Sequence, residues 1–251
     1  VESTLIVADY SIIQTICALV IAFSGVFGQI LLPLTSKSVV LNEHDKINQI
    51  LHSGTRYISI FISYLIYLLI INADPILELY VGPEYTYLSS WLIVALITLF
   101  GLHSSPILNL IIAKGRLVPL IIFSAINTFF SLMLVVLLTQ EYGVGGAIVS
   151  YLVFTVLQTG FIYIYYISML FKLQSLVIFL KSFLAPVLLG GLSLVISIML
   201  IQQIHIESNI VKILINSSLF IAVYSLLCLG FIIKPKEIRE LILKFNGDNK
   251  V

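Results

Sequence analysis

Residues 118–138, Val-Pro-Leu-Ile-Ile-Phe-Ser-Ala-Ile-Asn-Thr-Phe-Phe-Ser-Leu-Met-Leu-Val-Val-Leu-Leu, decide the fold class. They contain no charged residue, and a helix needs about 20 mostly apolar residues to cross the hydrocarbon of a bilayer. The other structure that satisfies its backbone in lipid, a closed barrel, alternates polar and apolar residues along each strand. Leu-Met-Leu-Val-Val-Leu-Leu at 132–138 does not alternate. Working outward, six further runs of the same kind lie at 10–34, 57–72, 91–113, 144–170, 183–204 and 213–233. The expected fold is therefore all-α, a polytopic membrane bundle of seven transmembrane helices. The whole composition agrees. Of 251 residues 60% are hydrophobic and 10% charged, with a mean hydropathy of +1.13, whereas soluble domains run at about 45–50% and 25%. So few charges leave too little polar surface to be wetted by water, and lipid must solvate most of the chain.

The charges that remain set direction. Lys37, Lys46, Arg56, Lys114, Arg116, Lys172, Lys181, Lys234, Lys236, Arg239, Lys244 and Lys250 all fall in one set of loops. The opposite set holds Lys212, beside Glu2, Asp9, Asp74, Glu78, Glu84, Glu141 and Glu207. The positive-inside rule then places the N-terminal end outside and the C-terminus in the cytoplasm of a multi-pass protein of the cytoplasmic membrane. A net charge of +1 gives no reason to expect nucleic acid as a partner. Two connections have the amphipathic spacing of interfacial helices. In one, Val39, Val40, Ile47, Ile50 and Leu51 interleave with polar residues, with Asn42 as the expected helix start. In the other, the tail, Ile238, Leu241, Ile242 and Phe245 do the same.

Chemistry is sparse. Cys17 and Cys228 lie in apolar runs, which implies neither a disulfide framework nor a metal site. No nucleophile–base arrangement, phosphate-cradling glycine loop or metal-spaced His/Cys cluster is visible, so neither an enzyme nor a cofactor is expected. Every carboxylate sits at a helix end, in a loop or in the tail, which leaves no intramembrane acid for a proton relay. Tyr80-Val-Gly-Pro-Glu-Tyr85, flanked by Asp74 and Glu78, has the form of a turn into the next helix. His103, in Gly101-Leu-His-Ser-Ser-Pro106, is the titratable group well inside a span. It bonds either a neighbouring helix or a polar substrate. Gln14, Gln29, Asn109, Asn127 and Gln158 suit interhelical bonds or sugar hydroxyls alike, and for any one of them packing is the expected role. Arg56 opens a Tyr- and Ser-rich span at headgroup level, where guanidinium binds phosphate or anchors the helix end. Lys114 and Arg116, in a tight turn, are expected to be topology anchors.

The order of several motifs resembles the C-terminal half of a polysaccharide or O-antigen flippase of the multidrug/oligosaccharidyl-lipid/polysaccharide exporter superfamily. The motifs are Val7-Ala-Asp-Tyr-Ser11, Ile30-Leu-Leu-Pro-Leu-Thr-Ser36, Gly54-Thr-Arg56, Ile76-Leu-Glu-Leu-Tyr-Val-Gly-Pro-Glu-Tyr85, Ala113-Lys-Gly-Arg116 and Glu141-Tyr-Gly-Val-Gly-Gly-Ala147. The resemblance implies that 1–170 are helices of the second lobe, 171–233 two appended helices, and 234–251 a cytoplasmic amphipathic tail. It also implies an N-terminal lobe of the same protein as partner. Together the lobes would carry undecaprenyl-diphosphate-linked oligosaccharide from the cytoplasmic to the outer leaflet without altering it. Arg56 would meet the diphosphate, with His103, Asn109 and Asn127 as further substrate-binding candidates. The chain begins at Val1 and is expected to be a portion of a longer protein. Two alternatives stay open. One is a sugar polymerase or ligase, which needs a large outer loop with catalytic groups. The other is a heptahelical receptor-like protein, whose retinal-type form would need a Lys within 213–233, where there is none.

Overall fold

A computed structural model of the chain describes residues 2–171, 174–202 and 208–232. The amphipathic tail 234–251, Lys172 and Glu207 lie outside the described residues. The described residues form an all-α polytopic bundle of eight helices: α1 (Glu2–Val40), α2 (His44–Ile71), α3 (Ala73–Tyr80), α4 (Pro83–Ala113), α5 (Val118–Tyr142), α6 (Val144–Phe171), α7 (Ser175–Ile201) and α8 (Asn209–Phe231). All but α3 are long and apolar enough to cross a membrane.

The 39–51 segment is not a separate interfacial helix. Asn42 takes a left-handed conformation (φ 53°) and closes α1. The N–H of Glu43 bonds the Ser38 carbonyl at 3.0 Å and that of Asn42 the Val39 carbonyl at 3.1 Å, which is the double bond of a Schellman ending. Asn42 therefore ends a helix instead of starting one, and α2 begins at His44. A π turn at Ile50–Gly54 joins its first turns to the rest of the span. Ile47 and Leu51 are turned inward, against Ile107, Leu110 and Ile111 of α4. The sixth span likewise begins earlier than its apolar run, at Ser175, and passes through a π turn at Phe179–Leu184.

α4 is the axis of the bundle. Half of its most apolar window is buried, against 17–33% for the other spans. Its N-terminal half (Leu88, Leu92, Leu96) packs with Ile13, Cys17 and Val20 of α1, Ile58, Ile62 and Ile66 of α2, and Ile148 of α6. Its other half joins a second cluster with Leu120 of α5, Ile162 and Tyr166 of α6, and Ile178 of α7. Between the halves, Leu99–Ser104 tightens into a 3-10 turn. Pro106 explains this, since it has no N–H to offer and its ring crowds the carbonyl one turn earlier. α8 packs Phe220 and Tyr224 against Tyr64 and Tyr67 of α2 and Leu189 of α7.

Polar side chains tie these helices together. The Tyr67 hydroxyl donates to the Val187 carbonyl at 3.0 Å, and Tyr224 donates to Ile60 at 3.0 Å. The Asn72 and Asn216 amides reach Ser217 Oγ and the Ile71 carbonyl at 3.2 and 3.3 Å. Each replaces a hydration shell that hydrocarbon does not supply. The outer face of α5 is the opposite case. Ile122, Ile126, Phe129, Met133 and Val136 are all exposed, a surface whose natural solvent is lipid.

Candidate functional site

The four candidate residues lie in four settings. Asn127, 4% exposed on α5, donates its amide to the Phe154 carbonyl of α6 at 2.9 Å. Ser131 to the Ser150 carbonyl at 3.0 Å and Gln158 to Ser124 at 2.8 Å continue the same seam. Asn109, half-buried on α4, donates to the Gly28 carbonyl of α1 at 2.9 Å. Both amides thus act as interhelical ties, as the bare residue types suggested.

His103 is 1% exposed. Its ring is sandwiched between Phe183 of α7, with centroids 3.7 Å apart, and Tyr163 of α6, at 5.4 Å. Nδ1 contacts the Phe100 carbonyl, so Nδ1 carries the proton and Nε2 is left as an acceptor. Neither Nε2 nor the Tyr163 hydroxyl has a partner among the described residues. Both rings line a cavity of about 420 Å³ between α4, α6 and α7, whose other walls are largely apolar. Four of its lining residues, Ile97, Val156, Ile164 and Leu176, are also exposed on the apolar flank of the bundle.

Arg56 stands just after the π turn of α2. Its guanidinium carbon is 5.1 Å from the centre of the Tyr57 ring, a cation–π contact. His52 lies within electrostatic range of both Arg56 and Lys181 of α7. Three residues able to carry positive charge therefore share one neighbourhood where α2 and α7 adjoin, a grouping that Arg56 alone did not reveal. Among the described residues no group of three His, Cys, Asp or Glu is placed to hold a metal. Cys17 and Cys228 are free and buried.

A further feature belongs to α1. Its buried positions Ile13, Val20, Ser24 and Thr35 line one side. At 100° per residue, Ser11, Ala18, Ala22, Gly25 and Gln29 fall on the opposite side, with Gln14, Thr15 and Pro33 flanking them. All eight are exposed. The Gln14 and Gln29 amides have no hydrogen-bond partner among the described residues, and a Cβ on Gly25 would meet nothing within 4 Å. α1 also exposes Val7, Leu19, Ile21, Phe23, Val26 and Ile30, so these small and polar residues form a narrow strip within an otherwise apolar surface. Hydrocarbon is a poor solvent for such a face. The signal was present in the sequence as small or polar residues at helical spacing. Their orientation needed the core packing of Ile13 and Val20. Comparison with protein-family models, curated proteins and solved structures found no match to this chain.

Proposed function

We propose that this chain forms the C-terminal half of a transporter that flips undecaprenyl-diphosphate-linked oligosaccharide from the cytoplasmic to the outer leaflet, in surface-polysaccharide synthesis. The observation that carries this reading is the outward face of α1. A polar, small-residue stripe along a membrane-spanning helix fits one wall of a wet passage, whose other wall a companion lobe supplies. Helices of transporters tolerate such polarity at depth because the groups line a water-filled cavity. In this reading the N-terminal end is outside and the C-terminus cytoplasmic, following the charge asymmetry. The Arg56, His52 and Lys181 group then lies at the cytoplasmic end, where a diphosphate would first be met. Guanidinium suits that role because its planar donors match phosphate oxygens in pairs. The ties made by Asn109 and Asn127 favour structural roles for both. His103 is a weaker contact candidate, since its cavity is lined by residues of the apolar flank.

The test is complementation of a flippase-deficient strain with the full-length protein carrying Arg56→Ala. Loss of one charge-assisted phosphate contact should lower export of surface polymer by at least about tenfold, while Arg56→Lys keeps part of it. Normal surface polymer with Arg56→Ala, at equal protein level, removes Arg56 from diphosphate binding. Failure of the unsubstituted protein to complement removes the transport reading itself.

A further inference from the structure

The turn between α4 and α5, whose two cations have so far been read as topology anchors, carries a cleft. Lys114, Gly115 and Arg116 make the turn, with Gly115 at φ 68°, a conformation that suits glycine. The end of α6 holds this turn in place twice. The Tyr166 hydroxyl donates to the Arg116 carbonyl. Lys114 Nζ donates to the Leu170 carbonyl at 2.6 Å and sits 4.7 Å over the Phe171 ring. Between the turn and α6 lies a cavity of about 460 Å³. Val118, Pro119 and Met169 form its apolar wall, and Lys114 and Arg116 its cationic side; among the described residues no carboxylate lines it. Val118 and Met169 are 66% and 48% exposed on the flank of the bundle.

We propose that this cleft binds one anionic phospholipid, with the headgroup phosphate on Arg116 and Lys114 and the first methylenes of a chain against Val118, Pro119 and Met169. Three features select that occupant. A turn joining two spanning helices lies at the depth of the phosphates. Two adjacent cations favour a head of net negative charge over a zwitterionic one, whose own cation offsets its phosphate. The apolar wall beside them, open to the flank, suits a chain and gives nothing to a free phosphate ion. Lys114 spends one of its three ammonium donors on Leu170 and has two left. Arg116 is exposed, and the bond to its carbonyl leaves the guanidinium available. The two cations thus do more than set topology. This inference does not depend on the transport reading.

The purified 251-residue chain, in micelles doped with phosphatidylglycerol or phosphatidylcholine, is examined by native mass spectrometry. One phosphatidylglycerol should be retained in preference to phosphatidylcholine. The double variant Lys114→Gln/Arg116→Gln should weaken it by roughly thirtyfold, from the usual attraction of two surface cations. Met169→Trp, which narrows the cleft and keeps both charges, should also weaken it, and Lys212→Gln, at the far end of the bundle, should not. Should the double variant fail to fold, Met169→Trp and Lys212→Gln decide. Equal retention of phosphatidylcholine overturns the proposal, as does displacement by inorganic phosphate at equal concentration. So does a loss with Lys212→Gln as large as with the cleft variants, which would mean general charge attraction.

Discussion

Valine in place of Gly146 is expected to break the α5–α6 hairpin at its apex and to lower stability by about 3 kcal/mol. A single residue, Gly143, separates the two helices, so the last turn of α5 and the first turn of α6 run in contact. A Cβ on Gly146 would overlap the carbonyl carbon and oxygen of Leu138 and the amide nitrogen of Thr139. These are main-chain atoms, which cannot rotate aside as a side chain can. Relief requires the helices to separate, and separation stretches the ties further down the seam, from Ser131 to Ser150 and from Asn127 to Phe154. Gly160 on the same helix is the control, because a Cβ there meets nothing within 4 Å. Gly160→Ala should be neutral or slightly stabilising, as expected for alanine in a helix. Thermal unfolding of the purified chain in detergent checks both. An unchanged melting curve for Gly146→Val would mean that α5 and α6 do not pack as described.

Leucine at Ala22 and Gly25 together should have the opposite profile, with a stable fold and lost function. Both positions are exposed on the outward side of α1, and a Cβ on Gly25 has open space around it. Surface changes away from packed features usually shift stability by less than about 0.5 kcal/mol. If the face lines a passage or meets a companion lobe, two large side chains obstruct it. Export by the full-length protein should then fall to under about a tenth, as expected where close approach requires small residues. Equivalent enlargement on the lipid-facing side of α5, Val136→Leu, should leave export intact. Full export with both α1 leucines would show that this face touches nothing functional.

Spanning segments and helix ends are written into the chain to different degrees. Long uncharged runs specify spanning helices because the bilayer imposes a length and forbids unpaired backbone groups. Residues 118–138 therefore read directly as the middle of α5. Helix ends are different, since a helix need not stop where the hydrocarbon does. α1 continues past Lys37 to Val40, and α2 starts among the polar residues at 44–49. There Ile47 and Leu51 read as one apolar face of an interfacial helix, and only contact with α4 makes that face a core position. The break near His103 was legible from Pro106, but the stacking on Phe183, 80 positions later, was not. For the amides, residue type gave capacity without a partner. Asn109 and Asn127 turned out to be committed to carbonyls on neighbouring helices, while Gln29, of the same chemistry, is exposed on α1 and Gln14 lines a cleft against α4 and α6. Arg56 showed its charge in the sequence, though that Lys181 acts on the neighbouring His52 came only from the packing of α7 on α2.

Single cysteines can distinguish a wet face from a greasy one. In a background in which the buried Cys17 and Cys228 are replaced by serine, cysteine is placed at Ala18, Ala22 or Gly25 of α1, and at Ile122, Phe129 or Met133 of α5. Intact cells carrying the full-length protein are treated with a membrane-impermeant, charged thiol reagent. If α1 lines a water-filled passage, at least two of its three positions react, and lipid-linked substrate slows them. The α5 positions, in hydrocarbon, stay unlabelled. Protection of all three α1 positions to the same extent as the α5 positions would contradict a wet passage and, with it, the transport function proposed for this chain.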